Sequence, residues 1–152
     1  MEFDALDRKI LALLQANGRI TNAELAERIH LSPSACLRRV QRLEASGVIS
    51  DYVALLDQRA VGRPTTVFVE VSLSSQSEEV LDRFEAAVRD CADVLECHLM
   101  SGDADYLLRV AVGGADTYEN FHRESLSRFP GVARIRSNFA LRTIVKSTAL
   151  PV

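Results

Sequence analysis

The sequence predicts an α+β chain in two parts: a tri-helical N-terminal domain trailed by a small strand, then a ferredoxin-like βαββαβ domain. Three observations carry that expectation. Residues 1–50 contain three apolar patterns of helical period, each opened by a capping signal. Residues 65–146 switch between two-residue alternation and helical spacing in the order β-α-β-β-α-β. Between them, DQRAVGRP (57–64) is polar and carries Gly62 and Pro64, which marks a boundary. The expected division is therefore 1–50, a strand and linker over 51–64, and 65–152.

In the first block Leu6, Ile10, Leu13 and Leu14 follow helical spacing behind Asp4, a good N-cap residue, and Asn17-Gly18 is a stop signal. Thr21-Asn-Ala-Glu24 is a capping box, ahead of a short helix carrying Leu25, Ala26 and Ile29. Ser32 caps the third helix, with Pro33 at the first helical position, where its missing N–H costs nothing. This helix should end near Ser46-Gly47. VISDYVALLD (48–57) then has strand-like composition and could form a small wing.

The second block opens with TTVFVEVSL (65–73), whose Val67, Val69, Val71 and Leu73 share one face of a half-buried strand. Residues 74–91 form an amphipathic helix with Val80, Leu81, Phe84, Ala87 and Val88 inward and Ser75 or Ser77 as cap. VLECHLM (94–100) and YLLRVAV (106–112) are strands joined through SGDAD. Asp116-Thr-Tyr-Glu119 is a second capping box, and Pro130-Gly131 ends the helix it opens. VARIRSNFALRTIVK (132–146) reads as a long last strand with Ile135, Phe139, Leu141 and Val145 near one face. Two helices cover only one face of such a sheet. The other face carries apolar groups such as Phe68 and Ile144, which implies self-association.

Composition narrows the function classes. No apolar run approaches the roughly 20 residues needed to span a bilayer. MEFDALDRKI has acids where a signal peptide needs a basic region, and three cysteines (Cys36, Cys91, Cys97) make no disulfide framework. A cytoplasmic protein with reduced thiols is expected, without a membrane partner. The net charge of −3 argues against a polyanion binder, but its distribution does not. Residues 1–64 carry 9 basic against 8 acidic residues, whereas residues 65–152 carry 9 against 13. Residues 32–43 hold three arginines and no acid, and local field governs encounter with a polyanion.

Those arginines have a definite placement. With Cys36 at the centre of the buried face, about 100° per residue brings Val40 and Leu43 within roughly 40° of it. Ser34, Ala35, Arg38 and Arg42 project away, and Arg39 lies at the edge. A helix entering a major groove needs this layout: short residues such as Ser32, Ser34 and Ala35 where the backbone comes close, then arginines reaching phosphates or guanine edges. A solvated arginine face would also account for the charge, but the preceding short helix and tight connection make a winged helix-turn-helix, which favours double-stranded DNA.

LDRKILALLQANGRITNAELAERIHLSPSACLRRVQRLEASGVISDYVALLD resembles the N-terminal domain of the Lrp/AsnC, or leucine-responsive, transcriptional regulators. ECHLMSGDADYLLRV and FPGVARIRSNFALRTIVKSTALP resemble that family's C-terminal effector and oligomerisation domain. The resemblance implies a homodimer, assembling further to an octamer, that binds DNA half-sites and is tuned by a free amino acid, with no other cofactor. His30 departs from the glycine that relatives often carry between the two helices; histidine reaches the left-handed conformation more readily than most residues.

A free amino acid asks for an acceptor for its ammonium, donors for its carboxylate and a shaped pocket. In SGDADY (101–106), Asp103 and Asp105 could offer the first and backbone amides around Gly102 the second. Leu99, Met100 and Ala140 could line the third. Ser-Gly-Asp is equally good hairpin chemistry. By resemblance the effector residues are Leu99, Gly102, Asp103, Asp105 and Tyr106, with Ser137, Asn138 and Phe139 from the last strand. No catalytic constellation stands out, and Cys97 and His98, adjacent on a strand, should face opposite ways and close no metal site. The rival readings are an effector-independent DNA-architectural protein and a small-molecule enzyme on the ferredoxin-like domain. RNA recognition through the sheet is disfavoured by its few exposed aromatics.

Overall fold

The computed structural model describes residues 3–152. Contacts divide the chain into two compact units. One is the described part of Met1–Leu55 together with Ile144–Val152; the other is Leu56–Thr143. The chain's last residues thus group with the helices rather than with the sheet where the sequence placed them. Leu150 exchanges two hydrogen bonds with the Gln15 amide, at 2.6 and 3.0 Å.

The helical unit contains α1 (Ala5–Ala16), α2 (Asn22–Arg28) and α3 (Pro33–Ala45). Each start follows the expected local chemistry. Asp4 Oδ1 accepts from the Asp7 amide at 2.8 Å, and the Asp7 carboxylate returns the bond to the Asp4 amide. The Thr21–Glu24 box forms in both directions, and Ser32 Oγ accepts from the Ala35 amide ahead of Pro33 at the first turn. Ile10, Leu11, Leu25, Ala26, Ile29, Cys36 and Leu43 make the core. Full burial of each large aliphatic contributes roughly 1.5–3 kcal/mol. His30 takes the left-handed conformation between α2 and α3, at φ 58°.

The second unit is β1 (Thr65–Leu73), α4 (Glu78–Arg89), β2 (Val94–Leu99), β3 (Tyr106–Val112), α5 (Ala115–Glu124), a 3-10 turn at Leu126–Arg128, and β4 (Val132–Phe139). The sheet order β2-β3-β1-β4 with all pairs antiparallel is the ferredoxin-like arrangement. Val67, Val69, Val71, Tyr106, Leu108 and Val110 bury one face together with Phe84, Val88, Tyr118, Phe121 and Leu126 from the helical segments.

Several expectations are corrected. Residues 48–57, expected as a small strand, form none. β4 stops at Phe139 instead of reaching Lys146; the Ala140 amide still donates to Thr66 O, and because β1 begins at Thr65 the register leaves it no partner for residues beyond Leu141. Leu141, Ile144 and Val145 are consequently exposed and lie off the sheet. The Asp116–Glu119 box does not form: Gly114 occupies the cap position of α5 without a side-chain bond. Ser77 is the cap residue of α4, also without a side-chain bond, while Ser75 Oγ accepts the Ser77 amide. No helix among the described residues is long and apolar enough to cross a membrane.

Candidate functional site

Two regions of the molecule hold the residues singled out by sequence. On α3, Cys36 and Leu43 are buried, and Ser32, Ser34, Arg38 and Arg42 are exposed, with Ala35 and Arg39 between. The helix therefore turns the expected small-then-cationic face outward. Two of its arginines are already engaged. Arg39 Nη1 donates to Asp4 Oδ2 at 2.7 Å and to Asp7 Oδ1 at 2.8 Å, and Arg42 Nη2 donates to Asp7 Oδ2 at 2.6 Å. Asp7 is buried, whereas the Arg39 and Arg42 side chains keep 25% and 50% of their surface exposed. Arg38 makes no ion pair among the described residues. The Asp4 carboxyl is held below its ordinary range, first by the Asp7 amide and then by Arg39.

The second region is the sheet face that the helices leave open. Register puts Glu70 opposite both Leu107 and Arg136, and Ser72 opposite Arg134. With the β2–β3 connection they border a cleft of about 330 Å3, lined by Met100, Gly102, Asp103, Ala104 and Leu107 besides these groups. Arg136 Nη1 lies 3.5 Å from Glu70 Oε2. Acids and guanidinium groups thus share one concavity with the apolar side chains of Met100, Ala104 and Leu107.

Not all the expected effector residues meet there. Gly102 and Asp103 line the cleft. Asp105 is committed elsewhere: Oδ2 accepts from the Leu73 amide and Oδ1 from Gln76 Nε2, both at 2.7 Å. Tyr106 borders the cleft, but its hydroxyl donates to Glu85 Oε1 at 2.8 Å, and burial, then Glu85, pushes its pKa up. Ser137 hydrogen-bonds the Tyr118 hydroxyl, and Phe139 packs edge-on against the Tyr118 ring at 5.1 Å. Those two are therefore on the helix-covered side, and only Asn138 among the last-strand trio faces with Arg134 and Arg136. Leu99 pairs with Tyr106 at the sheet edge outside the lining. Glu70, Ser72, Arg134 and Arg136 are additions; the alternation in VARIRSNF signals that both arginines oppose Ile135, but their meeting with Glu70 depends on register.

Cys97 and His98 do face opposite ways, paired with Leu108 and Leu107. Burial raises the Cys97 thiol to about 11, which keeps it protonated and poorly reactive.

Comparison with known proteins covers both regions. Residues 3–50 match the winged helix-turn-helix DNA-binding model and residues 66–150 the Lrp/AsnC ligand binding domain. The leucine-responsive regulatory protein of Salmonella typhimurium is 42% identical over 149 residues, 98% of this chain and 91% of that protein; its Escherichia coli counterpart is 41% identical over the same lengths. Among solved structures, a Neisseria meningitidis transcriptional regulator in complex with L-methionine superposes with a TM-score of 0.94 at 39% identity, covering 99% of this chain and 97% of that one. An AsnC family regulator from Agrobacterium tumefaciens gives 0.93 at 41% identity, with 98% and 97% covered. Helix-turn-helix and ligand-binding halves match in the same order and over nearly the full length, and the chain belongs to the Lrp/AsnC family of transcriptional regulators, proteins that bind rather than catalyse.

Proposed function

We propose that this regulator binds duplex DNA through the outward face of α3 and is tuned by a free α-amino acid bound in the open-face cleft. The observation that carries the reading is the pairing of charges in that cleft. Asp103 and Glu70 suit an ammonium, Arg134, Arg136 and the amides around Gly102 suit a carboxylate, and Met100, Ala104 and Leu107 suit an apolar side chain. The Neisseria meningitidis relative solved with L-methionine supports an amino acid of that kind. Asp105, Tyr106 and Ser137 would support the strands around the site, with Leu99, Asn138 and Phe139 at its margins. On the DNA side, Ser32, Ser34 and Ala35 allow close approach, and Arg38 reaches the backbone or a guanine edge.

The assembly proposed is a homodimer that associates further to an octamer, in the cytoplasm with its DNA. Its support is exposed apolar surface on the sheet unit, including Phe68, Leu95, Leu99 and Met100. A ligand acts only through differential affinity for two assemblies or two DNA-bound geometries.

A thermal-shift screen of the twenty amino acids tests the reading. A true effector at about 100 times its dissociation constant adds roughly 2.7 kcal/mol of stability, and Asp103→Ala or Arg134→Ala should abolish the shift. No shift with any amino acid, or an undiminished shift in both variants, would refute the site.

A further inference from the structure

Asp7 is the one charged side chain that is buried among the described residues, 1% exposed. It belongs to α1, yet both its oxygens face α3, one taking Arg39 and the other Arg42. Asp4, on the same end of α1, takes a second bond from Arg39 while also capping its own helix. A carboxylate removed from water needs such partners, because burying it unpaired is very unfavourable.

The arginines are not exhausted by this. A guanidinium has five N–H donors in a fixed planar fork; the bonds above engage Nη1 of Arg39 and Nη2 of Arg42. Arg38, Arg39 and Arg42 together line a shallow depression of about 190 Å3, and no other described residue borders it. Three cations backed by two carboxylates leave one positive charge in excess, which matches one phosphodiester.

We propose that Asp7 and Asp4 are positioning residues for DNA binding: from behind, they hold Arg39 and Arg42 so that their remaining donors, with Arg38, form one seat for a single backbone phosphate. This rests on the DNA-binding reading above. Pinned forks lose less rotamer freedom when a ligand arrives, so the acids strengthen binding through preorganisation although their charge opposes it. Three arginines then count as one phosphate contact, and removing any of them removes the same contact.

The test is a salt series of anisotropy titrations on a random-sequence labelled duplex, using the full chain and its variants Asp4→Asn, Asp7→Asn, Arg38→Ala, Arg42→Ala and Arg38→Ala/Arg42→Ala. Asparagine caps a helix about as well as aspartate, so Asp4→Asn should keep the fold even where Asp7→Asn does not, with the melting temperature as the check. Asp4→Asn is expected to weaken DNA binding several-fold despite raising the net charge. Arg38→Ala and Arg42→Ala should each lower the slope of log K against log salt by about 0.9 per bound protomer, and the double variant by no more. Affinity that is unchanged or tighter in Asp4→Asn, or slopes that add in the double variant, would overturn the clamp. Failure of the unaltered chain to bind duplex at any salt would instead remove the DNA-binding reading itself, and the seat with it.

Discussion

Asp105 ties itself to the end of β1: its Oδ2 accepts the Leu73 amide at 2.7 Å while Oδ1 holds the Gln76 side chain. Asp103, two residues earlier, is exposed at the cleft. Two acids that look equivalent in SGDADY thus do different work. Asp105→Ala strands a half-buried amide and should cost about 1–3 kcal/mol. Asp103→Ala should stay within roughly 0.5 kcal/mol yet lose the amino-acid response. Denaturant unfolding of both variants, with and without effector, separates them; equal stability losses would contradict the assignment.

Gly131 accepts the Ser74 amide through its carbonyl at 2.8 Å and sits at φ 75°, where an added Cβ would come within 2.6 Å of Val80 Cγ1. Left-handed strain of about 1–2 kcal/mol and overpacking of about 1–3 kcal/mol both oppose Gly131→Ala. The variant should lose roughly 2–5 kcal/mol, summed from those ranges. Val80→Ala placed in that background should recover part of the loss, which a double-mutant cycle would measure as non-additivity.

Acid should weaken the helical unit first at its caps. The Asp4 carboxyl is lowered chiefly by the Asp7 amide and then Arg39, and that of Glu24 chiefly by the Thr21 amide and then its hydroxyl. A folded value below the unfolded one means the contribution is fully present above the unfolded carboxyl range, about pH 4–4.5. It is lost as pH falls through the lowered folded values. Melting temperature followed downward from neutral pH should therefore fall more steeply for the unaltered chain than for Asp4→Asn/Glu24→Gln, which has no such carboxyls to protonate. Parallel curves would contradict the assignment.

How far the sequence reaches depends on whether the cause is local. The starts of α1, α2 and α3 were legible because a cap and its amide lie three residues apart, and His30 because it stands where the resembled family often carries glycine. β4 was overrun because apolar alternation continues to Val145, although the register leaves β1 no residue to pair beyond Leu141. Residues 48–57 carry strand chemistry but pair with no ladder among the described residues. The cleft was half legible: Gly102 and Asp103 sit in one motif, but Glu70, Arg134 and Arg136 meet only through strand register. Helical spacing puts Arg42 outward and Arg39 at the edge but does not show what holds them, because the buried acid lies more than thirty residues away on α1.

The most direct measurement is the linkage between the two ligands: amino-acid affinity with and without a DNA duplex, and DNA affinity with and without the amino acid that shifts the melting temperature most. Thermodynamic reciprocity requires the same factor in both directions, and a regulator of this kind should show about 5–150-fold, abolished by Asp103→Ala. An amino acid that binds with full affinity but leaves DNA affinity unchanged would contradict the claim that the open-face cleft controls what α3 does.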